Sequence, residues 1–350
     1  MIIQSITARK IIASMGDYTV EATIEFDGGQ KSVASVPAGI SAGKYEVAKV
    51  DADTGINQIS QISQICSGKD WTQESLDEEI IKHGFGGNAT LAVSASFYKA
   101  NRYSLTANRF PKLMLLLFEG GEHGNKNLTI QEFMVIEDGL EQAFRDFRDI
   151  REYLETNNIE TTVGVEGGFS PINFTNTDVL DAISKVLPSR KIALDVAGTF
   201  AKGEFLDYSK LTHQYNLASI EDPYDDENWS SWSNLTNLLG PTLMIVGDDL
   251  VTTNPQRIQK AVELKACNAV IIKPNQIGTI TLAKQAVELA RKNNFKIIVS
   301  HRGQETDDWW IADFAVDVGA DYVKFGGMDR GERVAKYNRL AELLPSGSLN

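Results

Sequence analysis

The feature that most constrains this chain is a series of short apolar runs, each ending abruptly in a titratable residue. "KIALD" ends at Asp195, "LASIE" at Glu221, "LMIVGD" at Asp248, "AVIIK" at Lys273, "KIIVSH" at His301 and "DYVK" at Lys324. These end residues recur every 23 to 28 positions, with amphipathic stretches such as "NPQRIQKAVELKA" and "TITLAKQAVELARKNN" between them. A strand-then-helix unit repeated at this length predicts parallel strands with helices outside. Two earlier runs, "KLMLLLF" and "TIQEFMVI", raise the strand count to eight. That is the count of a closed (β/α)8 barrel, here with an atypical opening because no full helix fits between the first two strands.

Residues 1–110 read differently, as a smaller α+β unit in front of a barrel of residues 111–350. "IIQSITARKII" and "YTVEATIEFDGGQKSVASV" alternate and are rich in β-branched residues, with a turn at Asp27-Gly28-Gly29. Helical patterns follow at 55–66, 73–82 and 88–101, and the proline of "NRFPKLM" marks the boundary.

At 350 residues, 42% hydrophobic and 23% charged, the chain has the composition of a globular protein with a sizeable core. A formal net charge of -13 argues against nucleic-acid and anionic-membrane partners, both of which attract basic surfaces. Its 2 cysteines, Cys66 and Cys267, lack CxxC spacing, so a reducing, cytoplasmic setting is expected. No apolar signal stretch opens the sequence, and "KLMLLLFEGG" is too short to span a bilayer.

In a barrel the six end residues converge on one mouth, the C-terminal one, where catalytic groups collect. Asp195, Glu221 and Asp248 come from three consecutive strands. Three carboxylates in one cleft raise one another's pKa unless a cation neutralises them. An all-oxygen set without cysteine suits Mg²⁺, with Mn²⁺ as a substitute. Asp249 falls outside this set, because alternation turns it away from its neighbour, and Asn254-Pro255 starts a helix. Lys273, His301, Arg302 and Lys324 supply cations on the other side. A lysine beside a divalent metal and a second lysine is expected to have a depressed pKa and to serve as a general base. The alternative is that Lys273 pairs with one of the carboxylates.

Beyond these spacings, "SVPAGISAGKYE", "GGEHGNKNLTIQEFM", "VGVEGGFSP", "SIEDP", "VGDDLVTTNP", "IIKPNQIGT", "VSHRGQET" and "RGERVAKYNRL" resemble, in order, the signature segments of enolase, the phosphopyruvate hydratase of glycolysis. The chain is some tens of residues shorter than is usual there, around 50–60 and 101–112. The resemblance implies an enolase-type variant (β/α)8 barrel behind an α+β cap, and reversible dehydration of 2-phosphoglycerate to phosphoenolpyruvate with two Mg²⁺ per site. It implies that Asp195, Glu221 and Asp248 hold the tight metal and that Lys273 removes the C2 proton. Glu166 would be the general acid at the C3 hydroxyl, assisted by Glu132, with His123 close to the substrate. His301 and Arg302 would bind substrate, Arg302 at the phosphate, and Lys324 would hold the carboxylate. Ser41, in the "AGISAG" loop, would bind the second Mg²⁺ on closure, and a homodimer or higher homo-oligomer is the family's usual assembly.

The chain departs from this pattern at several positions. Ile40 and Ala42 flank Ser41, Glu119 stands where asparagine is usual, and Val165 replaces the acidic residue before the general acid. Gly303 replaces a phosphate-binding serine. That removes a hydroxyl donor, worth about 1–3 kcal/mol if nothing replaces it, and leaves the Gly303 backbone N–H for the phosphate. Two alternatives stay open beside enolase activity: a superfamily lyase on a related 2-hydroxy or phosphorylated acid, and an inactive enolase-like binding protein.

Overall fold

The computed structural model describes residues 1–39, 43–101, 110–198 and 206–344. Strands β1 (Ile3–Ile12), β2 (Tyr18–Phe26) and β3 (Lys31–Ser35) form an antiparallel meander. Between β2 and β3 the chain reverses at Gly28 and Gly29, both at positive φ (87° and 81°), where side chains are disfavoured. Val20, Ala22, Ile24 and Phe26 alternate along β2 and are buried, and helices α1 (Ala52–Cys66), α2 (Gln73–Ile81) and α3 (Gly87–Ala100) follow. Asp51 and Thr72 cap α1 and α2 by accepting from Thr54 and Ser75 N–H groups. Buried Asp77 of α2 accepts from the backbone and hydroxyl of Thr281 at 2.9 and 2.6 Å, tying this part to the next.

The second part opens with β4 (Lys112–Glu119), β5 (Glu132–Glu137), α4 (Leu140–Thr156) and α5 (Asn176–Val186). It continues through β6 (Lys191–Asp195), α6 (Tyr208–Gln214), β7 (Leu217–Glu221), α7 (Trp229–Leu239), β8 (Met244–Gly247) and α8 (Pro255–Leu264). It ends with β9 (Ala269–Ile272), α9 (Ile280–Lys292), β10 (Lys296–Ser300), α10 (Trp310–Asp317), β11 (Tyr322–Lys324) and α11 (Gly331–Leu343). The strands close a barrel in the order β10-β11-β4-β5-β6-β7-β8-β9.

The barrel is not all parallel. β5 runs antiparallel to both β4 and β6, while the other pairings are parallel. A parallel return needs a crossover, usually helical, and the residues between β4 and β5 contain no helix. Reversal has a functional consequence. Glu132 begins β5 yet pairs with Asp195 and Glu119, both at strand ends, so it joins the C-terminal mouth. Met114, Leu116, Met134, Ala193, Val246, Ala269, Ile271 and Ile298 fill the barrel interior, while alternate residues such as Leu113, Leu115 and Leu117 join the outer core.

Candidate active site at the C-terminal mouth

A cavity of about 310 Å³ opens at this mouth and is lined by His123, Glu132, Glu166, Asp195, Asp248, Lys273, His301, Arg302, Gly303 and Lys324, among others. All ten are residues that the sequence pattern or the enolase resemblance nominated. Ser41 lies outside the described residues, and Glu221, fully buried, lies beneath the surface of the cavity.

The carboxylates meet two ammonium groups. Asp195 and Glu221 are register partners on β6 and β7, and both bond the Lys324 ammonium, Asp195 Oδ2 at 2.8 Å and Glu221 at 2.8 and 2.9 Å. Glu132 stands 3.1 Å from the same nitrogen. Burial lowers the Lys324 pKa, but Asp195, Glu132, Glu221 and Asp248 outweigh it and hold the ammonium charged. Burial and the charge of Asp195 push Glu221 well above the usual carboxylate range; Glu132 is raised chiefly by burial, against Lys324. Asp248 pairs instead with Lys273. Lys273 thus makes the carboxylate pairing that the sequence leaves open as the alternative. Burial and the cations Arg302 and Lys324 lower its pKa, yet the Asp248 ion pair raises it above the ordinary lysine value.

Asp249 is not turned away from its neighbour as alternation predicts: both aspartates line the cavity, because the strand ends at Gly247 and the pair sits in the turn beyond it. The carboxylate of Asp222, at φ 42°, accepts the N–H groups of Asp248 and Asp249 at 3.0 and 2.8 Å. Asp249 is pushed up to about 7 by burial and by Asp248. Thr252 and Thr253 then turn through positive φ, and Asn254 caps α8 by accepting from Gln256 and Arg257. The Thr253 hydroxyl accepts the Lys273 N–H at 2.9 Å, fixing one candidate base from the neighbouring loop.

In the same cavity Glu166 is buried between two histidines, with His301 Nε2 at 3.0 Å and His123 Nδ1 at 3.9 Å. Arg333 Nη1 lies 2.9 Å from His301 Nδ1. A guanidinium only donates, so Nδ1 accepts and the ring proton sits on Nε2, aimed at Glu166. Burial pushes His301 down to about 4, against the attraction of Glu166 and with the Arg333 charge helping. For Glu166, burial acts upward, but His301, His123 and Arg333 outweigh it and hold the carboxyl well below its usual range. Arg333 also donates to the carbonyls of Arg302 and, at 2.5 Å, Gly303. Arg302 Nη1 in turn donates to Glu46 Oε1 at 2.9 Å.

Glu46, Asp222 and Arg333 escaped the sequence reading. Arg333 had a signal: Arg333, Lys336, Tyr337 and Leu340 share the buried stripe of α11, and a cation on such a stripe needs buried partners. Asp222 directly follows Glu221 in "SIEDP", and only its strained backbone turns it toward Asp248. The chemistry of Asp195, Glu221 and Asp248, all hard oxygen donors, suits a divalent metal, although Asp195 and Glu221 here bond Lys324 and Asp248 pairs with Lys273. Glu221 is raised by the charge of Asp195, a penalty that a bound cation relieves. Asp222, Asp248 and Asp249 also each bring a carboxylate oxygen within 4.8 Å of the others.

Known proteins share these elements. A family model described as "Enolase, C-terminal TIM barrel domain" matches residues 107–207 and 195–344. The chain is 36% identical over 399 aligned positions to the enolase of Ehrlichia ruminantium (strain Gardel), covering 97% of this chain and 95% of that protein. It is 34% identical over 403 positions to the enolase of Kineococcus radiotolerans, covering 97% and 93%. A chain of 350 residues spread over 399 positions lacks residues that its relatives carry.

Proposed function

Because the chain belongs to the enolase family, we propose that it dehydrates 2-phosphoglycerate reversibly to phosphoenolpyruvate, with Lys273 as the base and Glu166 as the acid. One observation supports this most: Lys273, paired with Asp248, and Glu166, held between two histidines, line one and the same cavity. Removing the C2 proton places a second negative charge on the substrate carboxylate, which calls for cations where that charge grows. Lys324 lies there, and Asp195, Glu221 and Asp248 would hold Mg²⁺. Bound Mg²⁺ supplies Lewis-acid stabilisation of the developing charge; the handling of protons belongs to the chain. The same logic is well known for enolase-superfamily sites, which serve as a worked example of a Lys or His base beside one or two Mg²⁺.

Arg302 is the phosphate ligand in this reading, and the substrate has to displace Glu46 from it. The Gly303 backbone N–H takes the place of the usual serine hydroxyl. Glu166 must carry a proton when the C3 hydroxyl leaves, and an anionic substrate beside it raises its pKa in that direction. Glu132, raised by burial, is the proton-bearing partner next to it. Lys273 must lose its proton; Arg302 and Lys324 favour that loss and the Asp248 pair opposes it. The second Mg²⁺ at Ser41, a homo-oligomeric assembly and a cytoplasmic location belong to the same proposal. Among the described residues no helix is long and apolar enough to cross a membrane.

The test is turnover of 2-phosphoglycerate by the purified protein, following the ultraviolet absorbance of phosphoenolpyruvate. Activity that EDTA abolishes and Mg²⁺ restores supports the proposal. Metal binding without turnover points to a superfamily lyase on another 2-hydroxy acid, and failure to bind metal points to a binding protein.

A further inference from the structure

Glu119 is a buried carboxyl that the proton transfers above do not use. It closes β4 at 0% exposure. Its two oxygens accept the backbone N–H groups of Glu166 at 2.8 Å and Gly168 at 3.0 Å. Its own N–H donates to the Phe169 carbonyl at 2.9 Å, and its carbonyl accepts the Ser170 hydroxyl at 2.9 Å. The turn is shaped around it. A Cβ at Gly164 would stand 2.6 Å from Glu119 Oε2, and one at Gly168 would stand 3.1 Å from the Glu119 Cβ. Two of the glycines beside Glu166 thus make room for one side chain. Buried N–H groups left without an acceptor carry the full desolvation cost, so this carboxyl contributes two of the hydrogen bonds that hold the turn, beside those from backbone and Arg330.

We propose that Glu119 is the positioning residue for Glu166, fixing its backbone so that the side chain stays between His123 and His301. The proposal rests on the reading of Glu166 as the general acid. It gives two departures from the enolase pattern one explanation. A carboxylate at position 165 reaches the N–H groups two or three residues on through a local turn. With Val165 there, that acceptor for the Gly168 N–H is lost, and Glu119 supplies it from the strand end while also accepting from the Glu166 N–H.

The test uses the full chain with E119N, E119Q and E119N/V165D. Amide hydrogen exchange over residues 163–170 reports the turn without any need for activity. Exchange at Glu166 and Gly168 is expected to speed up about tenfold in E119N, through loss of two hydrogen bonds. E119Q, which keeps one acceptor oxygen, is expected to fall between E119N and the natural chain, and carries the test if E119N does not fold. With 2-phosphoglycerate, kcat is expected to fall about 10- to 100-fold in E119N with KM little changed, the usual cost of a misplaced catalytic group. E119N/V165D is expected to recover the protection at Gly168 and part of the kcat. Unchanged exchange in E119N and E119Q, or a double variant no better than E119N, overturns the assignment. Absence of turnover in the natural chain defeats the function reading alone, since exchange still decides the role of Glu119.

Discussion

At the C-terminal mouth of the barrel the side chain of Lys324 is 3% exposed and is shared by Asp195, Glu221 and Glu132. At the opposite mouth Lys296, on the neighbouring strand, pairs with Asp321 while 52% exposed, and Lys112 pairs with Asp138 at 45%. A cavity of about 390 Å³ opens there too, lined by Lys112, Lys191, Lys296 and Tyr322. Ion pairs of the same chemistry therefore sit at both ends of one barrel. Burial separates them: an exposed pair is worth about 0–1 kcal/mol, whereas breaking a buried one costs about 3–5 kcal/mol. At the C-terminal mouth the lysine's charge is held in a medium where it shifts neighbouring protons; at Lys296 and Lys112 water screens it.

The sharpest way to break this contrast is Lys324→Ala, which leaves Asp195 and Glu221 buried without their shared cation. The expected loss is about 3–5 kcal/mol of unfolding free energy at pH 7, read by urea denaturation without added metal. A loss below about 1 kcal/mol would place the two mouths on the same footing. Arg333→Lys is expected to cost less, about 1–3 kcal/mol, because one ammonium cannot serve His301, Arg302 and Gly303 together. It should also alter the His301 ring signals in NMR, since Nδ1 loses the donor that fixes its tautomer.

One buried group at the N-terminal mouth sharpens the comparison. Reversal of β5 carries Glu137 there, where it pairs with Leu113 near the start of β4. Its carboxyl is pushed up to about 9 by burial and then by Asp146, against Arg190. The folded state thus binds a proton that the unfolded state has lost, and stability from this group falls as pH rises from about 4.5 to 9. Glu137→Gln is expected to flatten that decline in thermal melts across the window; an unchanged slope would assign it elsewhere. Lys296→Ala should show the smallest effect, within about 1 kcal/mol of the natural chain at any pH between 5 and 8.

The strand ends were legible because each charged residue interrupts an apolar run, and a repeat of 23 to 28 residues has few architectures open to it. The reversed strand was visible only as a missing helix between "KLMLLLF" and "TIQEFMVI". The pairing of Lys273 with Asp248, which the spacing leaves open beside the general-base reading, raises the lysine's pKa, and only the packed fold shows which carboxylate it reaches. Contacts between distant segments, such as Glu46 with Arg302 or Arg333 with His301, depend on packing that no local pattern encodes. Glu119 stood out in the sequence as a departure, but its purpose emerges only from the turn wrapped around it.

The division of labour between Lys273 and Glu166 is the central claim, and exchange of the C2 hydrogen of 2-phosphoglycerate with deuterated solvent tests it most directly. Proton abstraction and hydroxyl loss are then read separately. Glu166→Gln is predicted to keep C2 exchange while phosphoenolpyruvate formation falls by orders of magnitude, and Lys273→Ala is predicted to lose both. C2 exchange that persists in Lys273→Ala would contradict the account.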